Sequence, residues 1–126
     1  MKRVMLIDDD PVTNLINTKL IEKTGVSCEV TVALSGKQAL EILLERVGKA
    51  QPLPDLIILD INMPLVNGFE FLHYLDQLNL REMQRTKIVI LSSSDDIEDR
   101  QKARQLGIDM YLVKPVTANI VANLLQ

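Results

Sequence analysis

The feature that most constrains this chain is a set of short runs with no polar residue inside them. Val4-Met5-Leu6-Ile7, Leu56-Ile57-Ile58-Leu59, Ile88-Val89-Ile90-Leu91 and Met110-Tyr111-Leu112-Val113 recur along its length. Runs that are apolar on both faces suit central strands of a parallel sheet covered by helices, because a half-exposed strand would alternate. A further candidate, Cys28 to Leu34, alternates less cleanly and suits a place nearer an edge. Helical patterns fill the intervals. Leu40, Leu43, Leu44 and Val47 follow the spacing of one buried helix face. Val12, Leu15, Ile16 and Leu20 do much the same in a first helix, and Phe71, Leu72, Leu75 and Leu78 in a third. Asp10-Pro11 supplies an N-cap and a proline at the first helical position. Ser35 with Gln38 and Asp95 with Glu98 are capping-box pairs, and Gly25 and Gly107 stand where helix C-termini favour glycine. Five alternations of strand and helix imply an α/β fold: a doubly wound, five-stranded parallel sheet with helices on both faces and right-handed crossovers.

Length and composition narrow the class. At 126 residues the chain is expected to form one domain, and such a domain buries a substantial core without cross-links. The single cysteine, Cys28, excludes an internal disulfide and suits a reducing compartment. No apolar stretch approaches the roughly 18 residues of a membrane span, and no signal-like segment precedes the first strand. A cytoplasmic location with no membrane association is therefore expected. The net charge of −3, scattered Lys and Arg, and 3% aromatic content argue against direct nucleic-acid binding. The segment from Ile97 to Leu106 stands apart: Ile97, Ala103 and Leu106 are its apolar positions amid Glu98, Asp99, Arg100, Lys102 and Arg104. Such a helix buries little area and is expected to be held loosely.

The residues that end each run point to function. In open parallel sheets, ligands bind at the carboxyl ends of the strands. The first run leads into Asp8-Asp9-Asp10, the second into Asp60, the third into Ser92-Ser93-Ser94 and the fourth into Lys114-Pro115. Carboxylates, a hydroxyl and an ammonium should thus gather along one sheet edge. Clustered carboxylates repel, and a divalent cation offsets that repulsion. With neither His nor Cys in the set, oxygen ligands favour Mg²⁺ (or Mn²⁺) over zinc. Such an ion keeps waters and takes a phosphate oxygen, while Lys114 and Ser92 could meet other phosphoryl oxygens. One carboxylate would then serve as the nucleophile of an aspartyl phosphate.

These residues carry a resemblance. Val4-Met5-Leu6-Ile7-Asp8-Asp9-Asp10-Pro11, Asp60-Ile61-Asn62-Met63-Pro64 with Asn67-Gly68, Leu91-Ser92-Ser93 and Tyr111-Leu112-Val113-Lys114-Pro115 resemble the receiver domains of two-component response regulators, in order and spacing across the whole chain. The resemblance implies a flavodoxin-like fold over residues 1–126 as a single receiver domain of the single-domain chemotaxis-regulator type. It implies Asp60 as phosphoacceptor. Asp8 and Asp9 match the acidic pair, with Asp9, Asp60 and the backbone carbonyl of Asn62 as direct Mg²⁺ ligands. Ser92 and Lys114 would bind the phosphoryl group, and Tyr111 would move in concert with Ser92 as the switch. Asn62 and Ser94 match positions that tune the lifetime of the phosphorylated state. The implied partners are a sensor histidine kinase or phosphotransfer protein and a downstream protein target. The domain would catalyse only its own phosphorylation and dephosphorylation. Ser at 92 in place of the commoner Thr, and Asn67 where Asp is usual, are mild departures.

Other readings compete at particular residues. Asp8-x-Asp10-x-Val12 also fits the nucleophile motif of haloacid-dehalogenase-type phosphatases, but residues 115–126 contain no carboxylate side chain for that superfamily's later acidic pair. A receiver that has lost phosphorylation would lack the acceptor or the acidic pair, and both are present. Asp10 reads as a helix cap, His73 as a surface residue and Cys28 as a small apolar strand residue.

Overall fold

Among the described residues, strands and helices alternate as β1 (Lys2–Ile7), α1 (Pro11–Lys23), β2 (Cys28–Ala33), α2 (Gly36–Gly48), β3 (Leu56–Asp60), α3 (Gly68–Leu78), β4 (Lys87–Ser92), α4 (Ile97–Gln105), β5 (Met110–Val113) and α5 (Ala118–Leu124). The computed structural model describes residues 1–61, 68–78, 85–93, 97–108 and 110–126. The strands form one five-stranded parallel sheet in the order β2-β1-β3-β4-β5. The order reverses direction between β1 and β3, which opens a crevice at their carboxyl ends.

The apolar runs work because alternate residues enter different layers. Met5, Ile7, Ile57, Leu59 and Ile90 pack beneath α2, α3 and α4 together with Leu43, Phe71 and Ala103. Val4, Leu6, Leu56, Ile58, Val89 and Leu91 pack beneath α1 and α5 with Ile21, Val121 and Leu124. Full burial of each such side chain contributes about 1.5–3 kcal/mol. Both layers close on β1, β3 and β4. β2 lies at one edge, as its weaker pattern suggests. β5 is the other edge rather than a central strand, so Met110 and Leu112 are only half-buried and Val113 is exposed.

The caps form as expected. Asp10 Oδ1 accepts the Val12 amide at 2.9 Å, with Pro11 beginning α1. Ser35 Oγ accepts the Gln38 amide at 3.0 Å, while Gln38 Oε1 reaches back to accept the Leu34 amide at 2.6 Å. Gly25 and Gly107 adopt φ of 75° and 81°, the left-handed turn that a side chain would strain. Asp95, and with it the second capping box, lies outside the described residues.

The apolar stripes need correction. In α1 the expected inner face of Val12, Leu15, Ile16 and Leu20 is turned largely outward: the first three are 61, 56 and 54% exposed and Leu20 is half-buried. Asn14, Asn17 and Ile21 are buried instead. The Asp10 cap fixes where the helix starts, and Asn14 then reaches the carbonyl of Asp8 at 2.9 Å, a bond no apolar side chain could make. In α2, Ala39 and Leu43 meet the sheet, Leu40 and Val47 are half-buried, and Leu44 is exposed. In α3, Phe71 and Leu72 are buried and Leu78 is exposed. Leu44 and Leu78 line a shallow groove between α2 and α3 with Leu40 and Tyr74, so the sheet covers only a narrow strip of each helix.

α4 conforms to its sequence. Ala103 is its one buried residue among those described, and Ile97 is 71% exposed. Two cation–aromatic contacts supplement that small area: the Arg100 guanidinium lies 4.7 Å from the centre of the Tyr111 ring, and Lys102 Nζ 5.7 Å from that of Phe69.

Candidate functional site

Strand register brings the polar residues together. Ile7 pairs with Leu59, so Asp8 and Asp60 leave neighbouring strands side by side. Asp60 pairs with Leu91 and Ser92 with Val113, which sets Ser92 and Lys114 next in line. The Lys114 amide also donates to the Ser92 carbonyl at 2.8 Å. Asp8, Asp60 and Ser92 are buried, at 4, 5 and 0% exposure, whereas Asp9 is open to solvent. Charged groups at strand ends with so little exposure require compensation from one another or from a ligand.

Part of that compensation is visible. Lys114 Nζ stands 3.3 Å from Asp8 Oδ2 and 3.5 Å from Asp60 Oδ2, bridging the two buried carboxylates. The other oxygen of Asp8 accepts the Asp10 amide at 3.0 Å. Burial nevertheless pushes the Asp8 carboxyl above its usual range, and the nearby Asp60 carboxylate adds to the rise. The Asp10 amide and Lys114 oppose it.

Asp8, Asp9 and Asp60 each offer an oxygen within 4.8 Å of the others. Three carboxylates and one ammonium leave a formal charge of −2, which a divalent cation would balance. Opposite oxygens of a Mg²⁺ octahedron lie about 4 Å apart, so small side-chain rotations would bring these donors onto one ion. The donor set therefore fits a hard divalent cation. Asn62, expected to add a backbone carbonyl, lies outside the described residues, as do Ser94 and the Met63-Pro64 and Asn67 positions.

Tyr111 lies at the far end of the same row of strands. Its ring is buried at 8% exposure in the layer beneath α2, α3 and α4, under the Arg100 guanidinium. His73 is exposed on α3, as its place in a polar stretch suggests. Cys28 is half-buried in β2, and burial raises its thiol pKa. Sequence reasoning missed Asn14. Asn14, Asn17 and Ile21 themselves share the i, i+3, i+7 spacing of one helix face, and two asparagines in that stripe were the available signal. It also missed Arg100, whose contact with Tyr111 joins two elements.

Comparison with known proteins agrees with this geometry. The family model for the response regulator receiver domain matches residues 4–126. The CpxR transcriptional regulatory protein of Escherichia coli K12 is 33% identical over 115 residues, which cover 91% of this chain and 44% of CpxR. This chain thus spans less than half the length of that relative. PilG of Pseudomonas aeruginosa is 33% identical over 113 residues, covering 90% of this chain and 76% of PilG. A two-component response regulator from Cytophaga hutchinsonii superposes with a TM-score of 0.88 at 36% identity, covering 98% of this chain and 93% of that one. Vibrio cholerae CheY4 gives 0.82 at 27% identity, covering 100% and 97%. Five parallel strands in the order 2-1-3-4-5, a lysine-bridged acidic cluster at their carboxyl ends and the family match lead to one conclusion: this chain belongs to the response regulator receiver domain family of two-component systems.

Proposed function

We propose that this receiver accepts a phosphoryl group on Asp60 from a histidine kinase or phosphotransfer protein, in a reaction that requires Mg²⁺ (or Mn²⁺). The observation that carries the reading is the Lys114 ammonium held between Asp8 and Asp60, with three carboxylate oxygens within 4.8 Å. Asp8, Asp9 and Asp60 would hold the ion, with the Asn62 carbonyl as the resemblance implies. When bound, the ion supplies positive charge against the phosphoryl oxygens.

In the transfer, an Asp60 carboxylate oxygen attacks phosphorus. The phosphorus–nitrogen bond to the donor imidazole breaks, and its electron pair stays on the ring nitrogen. Lys114 is then released from Asp60 toward a phosphoryl oxygen, an exchange of one anion for a stronger one. Ser92 provides a hydroxyl to a second oxygen. Asp8, whose carboxylate accepts the Asp10 amide and pairs with Lys114, would hold the loop and the lysine in place. The exposed Val12, Leu15 and Ile16 of α1 border the acidic loop and give a protein phosphodonor an apolar surface beside the acceptor. Movement of Ser92 toward the new charge would bias Tyr111 and the thinly packed α4, and so alter the surface offered to a downstream protein.

Incubation with a small-molecule phosphodonor and Mg²⁺ tests the proposal. Wild-type protein should gain one acid-stable, base-labile phosphoryl group. Asp60→Asn should gain none, and labelling that persists in that variant would overturn the assignment.

A further inference from the structure

We propose that Asn14 is a positioning residue for the metal site, holding the acidic loop so that Asp8 and Asp9 present their carboxylates toward Asp60. The inference rests on the reading of the aspartate cluster as a cation site.

The Asn14 side chain grips the loop at one point, and the backbone bond beside it is the first turn of α1, which any residue but proline would make. The side-chain amide donates to the Asp8 carbonyl at 2.9 Å, and the backbone amide donates to the Asp10 carbonyl at 3.2 Å. The Asp8 amide meanwhile donates to the Ala33 carbonyl at 3.1 Å, and the Asp10 amide to Asp8 Oδ1 at 3.0 Å. The Asp8–Asp9 peptide is thus tied to α1 and the Asp9–Asp10 peptide to the Asp8 carboxylate, while the Asp8 amide anchors the start of the loop to β2. Asp9 itself is exposed, so its direction is inherited from that backbone rather than from packing.

Asn14 is a costly choice for folding alone. It is 2% exposed, and its Oδ1 has no hydrogen-bond partner among the described residues. A leucine would remove that orphaned oxygen, but it would also strip the buried Asp8 carbonyl of its side-chain donor. What leucine could not supply is the N–H that fixes the Asp8–Asp9 peptide. Partners of this kind behind metal ligands typically affect affinity about 10–100-fold.

Magnesium titration followed by backbone amide NMR shifts, paired with thermal melting in EDTA, tests this. Asn14→Leu exchanges one unsatisfied buried oxygen for another, so it should melt within a few degrees of wild type without metal and bind Mg²⁺ about tenfold more weakly. Asn14→Ala serves if the leucine variant does not fold. Unchanged Mg²⁺ affinity in a folded variant would overturn the proposal and leave the site reading intact. Weaker binding accompanied by loss of metal-free stability would make Asn14 merely structural and would also overturn it. Wild-type protein that binds no Mg²⁺ would sink the site reading and this inference together.

Discussion

Gly68 opens α3 a few residues after Asp60, and its missing side chain is a steric requirement. A Cβ at this position would lie 2.6 Å from Ile61 Cα, 2.8 Å from Ile61 Cγ2 and 2.9 Å from the Asp60 carbonyl oxygen. Carbon atoms pack best at about 3.5–4.0 Å, so the overlap approaches an ångström. Two of the three obstructing atoms are backbone, and Ile61 is itself a core residue at 5% exposure, so nothing nearby yields cheaply. Overpacking of this kind costs about 1–3 kcal/mol, and the backbone contacts place it at the upper end. Alanine's advantage over glycine, about 1 kcal/mol in a helix interior, is smaller at this first position and offsets only part of the cost. Gly68→Ala should therefore destabilise by about 2 kcal/mol, or lower Tm by about 8 °C for a chain of this length. Thermal denaturation followed by circular dichroism measures it. The displaced atoms belong to the end of β3, so phosphodonor labelling of Asp60 should fall as well. A variant that melts at or above wild type, as helix propensity alone would give, refutes the steric argument.

Two further outcomes test the packing. Ile21→Ala should cost about 2–5 kcal/mol in chemical denaturation, whereas Ile16→Ala should stay within about 0.5 kcal/mol. The opposite ranking would show that α1 is rotated toward its apolar stripe. Arg100→Ala removes the cation over Tyr111 and should cost about 1 kcal/mol, raising amide exchange in Ile97–Gln105 about fivefold. Exchange at the wild-type rate would mean that the contact does not hold α4.

β1, β3 and β4 were legible because both of their faces are buried along most of their length. A run such as Leu56-Ile57-Ile58-Leu59 then needs no knowledge of which side faces which helix. The site was legible for a related reason: in a parallel sheet every strand delivers its next residue to the same edge. Asp8 and Lys114 meet although they are 106 positions apart in the chain. The caps at Asp10 and Ser35 and the turns at Gly25 and Gly107 depend on local geometry alone.

Only the tertiary structure decided the rotation of α1. Periodicity records that an apolar stripe exists, but the direction it faces depends on partners elsewhere. Here Ile21 packs with Val121 and Leu124 of α5 and Asn14 reaches the Asp8 carbonyl, while Val12, Leu15 and Ile16 stay in water. The steric need for glycine at 68 likewise comes from Ile61 and the Asp60 carbonyl, a contact that no local pattern encodes. The sequence by itself determined the fold class, the strand ends and the residues gathered there. The rotation of α1 and the lysine bridge between Asp8 and Asp60 arise from long-range contacts, whose energies depend on distances that no spacing along the chain contains.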